Sequence, residues 1–381
     1  MIPYSRQSID KADIKSVINV LKSDFLTQGP LVEKFEIKIK KFCGVKFATA
    51  VNSATSALHI SCLALGLKKN DYLWTSPISF VASSNCGLYC GAKIDFIDIN
   101  IDDYNIDLEI LKQKLKIAKK KNKLPKIIVT VHMAGQSCKM KEIKKLSTRY
   151  NFKIIEDASH CIGAKYNNRP VGSCQFSDMA IFSFHPVKII TTGEGGMILT
   201  NNKGLDEKLK ILRTSGIKKN IGKKKLKQKG LWFYEQRALG YNYRMSDIAA
   251  GLGLSQMKKI NTFVKKRNQL ANNYKLLFKN MPVEYQKIDG KCLSSYHLFI
   301  IRVSKKFKKK LFEKLRSEGI YVNVHYIPIH LQPFYKKQGF KKGFFPVSEK
   351  YYDQALTIPL FPKLKIKTQI KIADIIKKIL Q

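Results

Sequence analysis

The sequence is poor in acidic residues and in arginine. Its 381 residues include 28 Asp and Glu against 70 Lys and Arg, which gives a formal net charge of +42. Only nine of the basic residues are arginines, and the lysines are spread along the whole chain. Nucleic-acid-binding proteins concentrate basic residues on one face and use arginine for bidentate phosphate contacts. We therefore expect solvated lysine-rich faces and no nucleic-acid partner, with a positive field that helps to attract phosphorylated substrates.

Several motifs and segments are absent as well. The eight cysteines and seven histidines form no CxxC pair, no cluster with zinc spacing and no HExxH motif, so no metal site is expected. No apolar run approaches membrane-spanning length, and the first residues contain no apolar signal core. The sequence predicts a cytoplasmic protein that does not associate with membranes.

The remaining pattern alternates short apolar segments with helical periodicity. Strand-like segments lie at residues 47–51, 72–75, 94–97, 127–131, 153–155 and 179–184. This alternation predicts an α/β fold with a mostly parallel sheet flanked by helices, in which ligands bind beyond the carboxyl ends of the strands. The length is too great for one small core, so we expect a large domain at residues 1–260 and a smaller α+β domain at 261–381.

One lysine stands out by its surroundings. The apolar segment 179–184 ends before Pro186, and Lys188 follows it. Three glycines at 193, 195 and 196 then allow a tight return into a second apolar run at 197–199. A lysine at such a turn can be the amine that condenses with the aldehyde of pyridoxal phosphate. The alternative is an ordinary hairpin with a solvated lysine at its tip.

Three other segments have two interpretations each. Asp157 follows the segment 153–155 and can hold a pyridine nitrogen protonated, or it can cap the next helix. Small and hydroxyl residues at 52–56 lie between a strand and a helix, where they can bind phosphate or form a plain cap. Phe80 can supply a flat face for a ring, or it can belong to the core.

Four motifs in a fixed order support the more specific interpretations. They are NSATSAL at 52–58, EDASH at 156–160, SFHPVK at 183–188 with TGEGG at 192–196, and LGYNYRMSD at 239–247. With them, nearly the whole chain resembles the DegT/DnrJ/EryC1/StrS family of nucleotide-sugar aminotransferases. The resemblance implies the fold-type I architecture, pyridoxal 5′-phosphate as the cofactor, and a homodimer with shared active sites.

The resemblance also implies roles for individual residues. Lys188 would bind the cofactor as a Schiff base and transfer protons, Asp157 would pair with the pyridine nitrogen, and His160 and Phe80 would lie against the ring. The cofactor phosphate would be held by the backbone of Ala54 and Thr55, by Ser183, and by Asn242 from the other subunit. The nucleotide-sugar pocket would be lined by Tyr4, Leu26, Thr27, Gln28, Gly29, His325, Tyr326, Ile327 and Pro328.

Matches at 324–330, 332–333 and 359–362 are similar to family members of pseudaminic acid biosynthesis. These imply transfer from L-glutamate to a UDP-linked 4-keto-6-deoxy-N-acetylhexosamine, giving UDP-4-amino-4,6-dideoxy-N-acetyl-β-L-altrosamine. Alternatives are an aminotransferase for another nucleotide-linked keto-sugar and a non-enzymatic basic binding or regulatory protein. A sugar dehydratase of this family would carry histidine in place of Lys188. The lysine-rich segment 218–229 is predicted to be a loop.

Overall fold

The computed structural model describes residues 1–218, 222 and 227–381. Within these residues the chain alternates strands and helices along most of its length. The strands are β1 (Ile2–Pro3), β2 (Phe47–Val51), β3 (Tyr72–Thr75), β4 (Lys93–Phe96), β5 (Ile127–Val131), β6 (Lys153–Asp157), β7 (Lys165–Tyr166), β8 (Arg169–Pro170), β9 (Met179–Ser183), β10 (Gly196–Thr200), β11 (Ile217–Lys218), β12 (Glu235–Gln236), β13 (Glu284–Tyr285), β14 (Cys292–Leu293), β15 (Phe299–Arg302), β16 (Ile320–Tyr321) and β17 (Ala355–Ile358).

The helices of the described chain are mostly three to four turns long. They are α1 (Lys11–Leu21), α2 (Pro30–Cys43), α3 (Ala54–Ala64), α4 (Ala82–Tyr89), α5 (Leu108–Lys120), α6 (Met140–Tyr150), α7 (Lys203–Leu212), α8 (Asp247–Met257), α9 (Ile260–Leu277), α10 (Lys305–Ser317), α11 (Pro333–Lys336), α12 (Pro346–Gln354) and α13 (Ile366–Leu380). Short 3₁₀ turns lie at Met133–Gly135 and Ile329–Leu331. None of the described helices is both long enough and apolar enough to cross a membrane.

The largest sheet of the described chain has seven strands in the order β2-β10-β9-β6-β5-β3-β4. The run from β4 through β3, β5 and β6 to β9 is parallel, whereas β10 is antiparallel to both of its neighbours. The prediction of a mostly parallel sheet flanked by helices is confirmed. Because Asp157 pairs with Ile181 of β9, the carboxyl ends of β6 and β9 open onto one edge of the sheet.

Strand β9 shows why this sheet is buried on both faces. Alternate side chains of a strand point to opposite faces. Accordingly, Phe182 belongs to the cluster with Phe35 and Met197 on one face, whereas Ile181 packs with Leu58 on the other. Helices cover both faces of the sheet, as is usual for parallel sheets. The apolar runs of the sequence therefore position the loops that follow β6 and β9.

A second core is built by the C-terminal part of the chain. It contains the end of α9, the sheet β13-β15-β17, and helices α10 and α13. Helix α9 joins the cores, because Phe263 packs in the first and Tyr274 in the second. Strand β1 pairs in parallel with β16, so the N-terminal residues lie against the C-terminal part. The division at residue 260 stays a prediction.

Some local features differ from the sequence-based expectations. The sequence predicts two consecutive helices at about 248–260 and on through residue 278, with a bend near Asn261. The break between α8 and α9 lies instead at Lys258 and Lys259, and Asn261 is inside α9.

The spacing of Ile14, Val17, Ile18 and Leu21 predicts a helix with an apolar stripe. The helix is present as α1, but the stripe is not directed into the core, since Ile14, Ile18 and Leu21 are exposed. Of the lysine-rich segment predicted as a loop, residues 219–221 and 223–226 lie outside the described residues.

Candidate active site

A cavity of about 680 Å³ lies at the carboxyl edge of β6 and β9, beside the first turn of α3. Its volume is in the range of about 300–1,000 Å³ that is usual for small-molecule sites. The cavity brings together these sequence-predicted residues: Tyr4, Ala54, Thr55, Phe80, Asp157, His160, Ser183, Lys188, His325 and Tyr326. Ligand binding beyond the carboxyl ends of the strands is therefore supported by the geometry.

Lys188 lies on the loop that connects β9 and β10. The loop is closed at its base, where the Phe184 N–H donates to the Gly195 carbonyl at 2.9 Å. Lys188 lines the cavity and is not at a solvated hairpin tip. Burial lowers the pKa of Lys188 to about 8, and the nearby Asp157 carboxylate offsets part of this shift. Near neutral pH, a larger share of this amine is uncharged and nucleophilic than for an exposed lysine.

The Asp157 carboxylate is oriented by two serines. Its Oδ2 accepts a hydrogen bond from Ser83 Oγ at 2.6 Å, and its Oδ1 accepts one from Ser159 Oγ at 2.6 Å. Ser83 also contacts Ser79 Oγ at 2.6 Å. Oδ1 also accepts from the Ser159 N–H at 3.3 Å, whereas Oδ2 accepts from Ser83 alone among the described residues. The second acceptor position of Oδ2 is therefore open to a ring N–H in the cavity. The chain after Asp157 forms turns, so the interpretation as a helix cap is wrong.

The contacts of Ser83 and Ser159 with Asp157 were not predicted from the sequence, for different reasons. Ser159 was inside a recognised motif, and its spacing of two from Asp157 is typical of a short turn in which the aspartate side chain accepts hydrogen bonds. That spacing was a usable signal. Ser83 comes from α4, which had not been predicted, and its contact with Asp157 joins residues 74 positions apart. Nothing local in the sequence points to that contact.

Two histidines of the cavity are neutral. His160 Nδ1 accepts a hydrogen bond from the Ala134 N–H at 3.3 Å, so the ring proton is on Nε2, which donates to Tyr326 Oη at 3.3 Å. Burial, with Lys188 nearby, holds the pKa of His160 well below its usual value. Burial also lowers the pKa of His325 to about 3. Their imidazoles therefore contribute shape and hydrogen bonds to the cavity, not charge. His297, which the sequence analysis missed, packs on His160 with ring centroids 4.4 Å apart.

The first turn of α3 also lines the cavity. Ser53 caps the helix by accepting from the Ser56 N–H at 3.1 Å. The N–H groups of Ala54 and Thr55 precede the first bond of the helix, where free N–H groups and the helix dipole can bind an anion. Gly196 lets β10 approach, because a Cβ there would lie 2.5 Å from the Ser53 carbonyl. This part of the cavity fits a phosphate group.

Phe80 is exposed to the cavity and is not a core residue. Its side chain is 58% exposed, and its ring centroid lies 6.5 Å from that of Tyr326. Core phenylalanines of the chain are almost fully buried, as Phe182 is. An open aromatic face in the cavity is therefore available to a planar ring. The interpretation of Phe80 as a core residue is wrong.

The other predicted residues do not line the cavity of the single chain. The Gly29 N–H donates to Asp247 at 2.7 Å, which places the 26–29 turn beside the start of α8. Asn242 is exposed and pairs with Thr214 through the backbone. Ile327 is exposed, and Pro328 is buried. The predicted residues that lie outside this cavity are Leu26, Thr27, Gln28, Gly29, Asn242, Ile327 and Pro328.

Comparison with known proteins identifies the family. A model of the DegT/DnrJ/EryC1/StrS aminotransferase family matches residues 7–377 of the chain. The chain belongs to this family. It is 40% identical over 389 residues to the UDP-4-amino-4,6-dideoxy-N-acetyl-β-L-altrosamine transaminase of Campylobacter jejuni subsp. jejuni serotype O:23/36. That alignment covers 100% of this aminotransferase and 98% of the relative.

Solved structures agree with this assignment. Helicobacter pylori PseC, an aminotransferase involved in the biosynthesis of pseudoaminic acid, is similar with a TM-score of 0.89, 34% identity, and coverage of 100% and 99% of the two chains. The PMP form of the putative sugar aminotransferase Spr1654 from Streptococcus pneumoniae has a TM-score of 0.91 at 26% identity, covering 100% and 99%. The expected fold-type I architecture is confirmed, and the cofactor of the aminotransferase is pyridoxal phosphate.

The residues of the cavity fit this cofactor. The buried Asp157 carboxylate has an acceptor position free for the ring nitrogen, and the helix start at Ala54 and Thr55 suits the phosphate. Lys188, with its lowered pKa, lines the same cavity. Pyridoxal phosphate supplies an aldehyde that carries the amino group and a ring that accepts electrons from the substrate carbon. The contact made by each residue stays a prediction.

Proposed function

We propose that this aminotransferase transfers the amino group of L-glutamate to C4 of a UDP-linked 4-keto-6-deoxy-N-acetylhexosamine. The product is UDP-4-amino-4,6-dideoxy-N-acetyl-β-L-altrosamine. The observation that carries this proposal is the 40% identity to the Campylobacter jejuni transaminase over the whole chain, since its name states this product. The H. pylori relative named for pseudoaminic acid biosynthesis supports the same pathway.

In this proposal each cavity residue has a defined task. Lys188 holds the cofactor and then, as a free amine, takes the proton from the reacting carbon of the donor. Asp157, oriented by Ser83 and Ser159, holds the ring nitrogen and so favours electron flow into the ring. Ala54 and Thr55, with Ser183, hold the phosphate. Both half-reactions use one site, so we infer ping-pong kinetics.

The nucleotide sugar would occupy the part of the cavity opposite the sheet. Tyr4 and His325 form one wall there, with ring centroids 4.9 Å apart. The Leu360 N–H donates to the Tyr4 carbonyl at 2.9 Å, and His325 Nδ1 lies 2.9 Å from Thr357 Oγ1, so the Tyr4 backbone and the His325 side chain are fixed by the C-terminal part. Such firmly held aromatic surfaces suit a base or a sugar face.

A panel of keto-sugars tests the substrate. With L-glutamate as the donor, we expect kcat/KM for the UDP-linked 4-keto-6-deoxy-N-acetylhexosamine to exceed that for GDP-linked 4-keto and dTDP-linked 3-keto sugars by about 100-fold or more. The assay is the initial rate of 2-oxoglutarate formation, and NMR of the product establishes its configuration. Preference for a dTDP-linked or 3-keto sugar would contradict the proposed substrate and leave the aminotransferase assignment intact.

We also infer a homodimer whose active sites contain residues from both chains. Several apolar side chains on and after α1 are exposed in the single chain, which is typical of a covered interface. Tyr241 and Tyr243 stack on each other at 5.0 Å and pack near His59 of α3. Asn242 lies between them in the sequence, is exposed, and is thus available to a second chain. The exposed apolar residues are Ile14, Ile18, Leu21, Phe25 and Leu26.

Mixing two damaged variants tests the shared site. Lys188→Ala and Asn242→Ala chains, after subunit exchange, form mixed dimers with one doubly damaged site and one intact site. At equal mixing half of the dimers are mixed, so about one quarter of all sites are intact and activity rises toward that share of wild type. Mass-tagged subunits confirm that exchange has occurred. Activity that stays at the parental average despite exchange would show that both residues serve the site of their own chain.

A further inference from the structure

Two polar side chains of the cavity wall have no task in the reaction described so far. His185 and Glu194 both line the cavity, on the loop that also carries Lys188. His185 is three residues before Lys188, and Glu194 is six residues after it. Neither is required to hold the phosphate or the ring of the cofactor. Their position places them beside the space that a substrate occupies.

The backbone that presents Glu194 is firmly fixed. The Gly193 N–H donates to Thr191 Oγ1 at 3.0 Å, and Thr192 Oγ1 donates to the Glu194 carbonyl at 2.6 Å. Gly193 has a φ of +81°, a conformation that favours glycine and turns the chain sharply. The side chain of Glu194 is nevertheless 67% exposed. A rigid turn therefore presents an open carboxylate at the cavity wall.

His185 complements this carboxylate. Its Nδ1 accepts from the Val187 N–H at 3.5 Å, which leaves Nε2 with the ring proton. Nε2 lies 3.9 Å from Glu194 Oε1, beyond hydrogen-bond distance. An oxygen placed beside both atoms could accept from the imidazole and donate to the carboxylate. Among neutral groups of a sugar, a hydroxyl has this combination of donor and acceptor, whereas a keto oxygen has no donor.

The negative charge of Glu194 favours a ligand that donates a hydrogen bond to its carboxylate. Asp157 and Glu194 are the carboxylates among the described residues that line the cavity. The carboxylate oxygens of Asp157 accept hydrogen bonds from Ser83 and Ser159. The nearest cationic or donor group to the side-chain carboxylate of Glu194 among the described residues is His185, at 3.9 Å. The cavity takes an anionic phosphate and a nucleotide sugar. An extra negative charge weakens anion binding unless the ligand donates a hydrogen bond to it.

We propose that His185 and Glu194 form a subsite for the hydroxyl at C3 of the hexose. This inference rests on the proposed function. In a UDP-linked 4-keto-6-deoxy-N-acetylhexosamine, C1 carries the nucleotide, C2 the acetamido group and C4 the keto oxygen, and C6 is a methyl group. C3 therefore has the only hydroxyl of the ring, and it is adjacent to the carbon that is aminated. Glu194 accepts from this hydroxyl, His185 donates to it, and together they direct C4 toward Lys188.

Separate measurement of the two half-reactions tests the subsite. In Glu194→Gln and Glu194→Ala, we expect kcat/KM for the keto-sugar half-reaction to fall by about 10- to 100-fold, the usual effect of losing a charge-assisted hydrogen bond. The glutamate half-reaction should change by less than about threefold, because glutamate has no such hydroxyl. Glu207→Gln, which alters an exposed carboxylate of α7, serves as the control and should leave both half-reactions unchanged.

A substrate analogue identifies the group that is bound. The 3-deoxy form of the same keto-sugar lacks the hydroxyl, so wild type and Glu194→Ala should use it equally well. Equal losses in both half-reactions, or the same loss with the 3-deoxy sugar, would overturn the subsite. Failure of the wild-type enzyme to aminate any UDP-linked 4-keto sugar, with the glutamate half-reaction intact, would overturn the proposed function and the C3 assignment with it.

Discussion

Replacing Lys188 with Ala is expected to lower turnover by roughly 10⁴-fold or more while the protein stays folded. The variant loses both the covalent attachment of the cofactor and the amine that moves the proton. It should still bind pyridoxal phosphate, because Asp157 and the first turn of α3 are unchanged. Borohydride reduction followed by mass spectrometry measures the attachment: the wild-type chain gains the mass of the cofactor, and the variant chain does not.

Lys308 provides a matched control for this variant. Burial lowers its pKa to about 8, as for Lys188, but it lies on α10 in the C-terminal part of the chain, where it contacts the Tyr352 carbonyl. Lys308→Ala should therefore keep both turnover and the reducible link. Small primary amines should partly restore turnover to Lys188→Ala by replacing its free amine. Near-normal turnover of Lys188→Ala without added amine would mean that another residue moves the proton.

Replacing Asp157 with Asn is expected to lower kcat by roughly 10²- to 10³-fold, the usual cost of losing one preorganised electrostatic contact. The amide has nearly the shape of the carboxylate, so the fold is retained. Its oxygen still accepts from one serine, and its NH₂ group donates to the hydroxyl of the other. The neutral side chain no longer favours a protonated ring nitrogen. Proton removal from glutamate should then limit the rate, so the kinetic isotope effect of α-deuterated glutamate should increase.

Two controls separate this role from a structural one. Asp374→Asn changes an exposed carboxylate of α13 and should have no effect on kcat or on the isotope effect. Ser159→Ala removes one hydrogen bond to Asp157 and should produce a smaller loss of the same kind. An Asp157→Asn enzyme with unchanged kcat and isotope effect would exclude the proposed contact with the ring nitrogen.

The alternation of strands and helices was predictable because the strands of the large sheet are short, continuous apolar runs. β2, β3 and β5 have the predicted bounds, since each is a short apolar run. Helix α4 was missed because it consists largely of small polar residues and has no apolar stripe. In α1 the predicted helical period is correct, but the period does not show which side chains are buried, because an apolar stripe can face the core or a surface that another chain covers. Only the tertiary contacts show that Val20 is buried and Ile14 is exposed.

The candidate site was predictable where its residues belong to compact motifs. Lys188, Asp157 and the Ala54 turn each stand next to an apolar strand, so their convergence follows from the topology of a parallel sheet. Ser83 and His297 were not predictable, because they reach the site through long-range packing. The exposure of Asn242 in the single chain cannot be derived from its motif either. It depends on how Tyr241 and Tyr243 pack against α3.

The pairing of β1 with β16 has a consequence for the synthesis of the protein. Ile2 pairs with Ile320, and the Tyr4 carbonyl accepts from the Leu360 N–H. At about 5–20 residues per second, the ribosome reaches residue 360 roughly 20–70 seconds after residue 4. During that interval the sheet that carries Lys188 can form, but one wall of its cavity does not yet exist. The nascent chain therefore presents an open, lysine-bearing cleft, and the complete cavity for cofactor and substrate forms only when the last part of the chain has emerged.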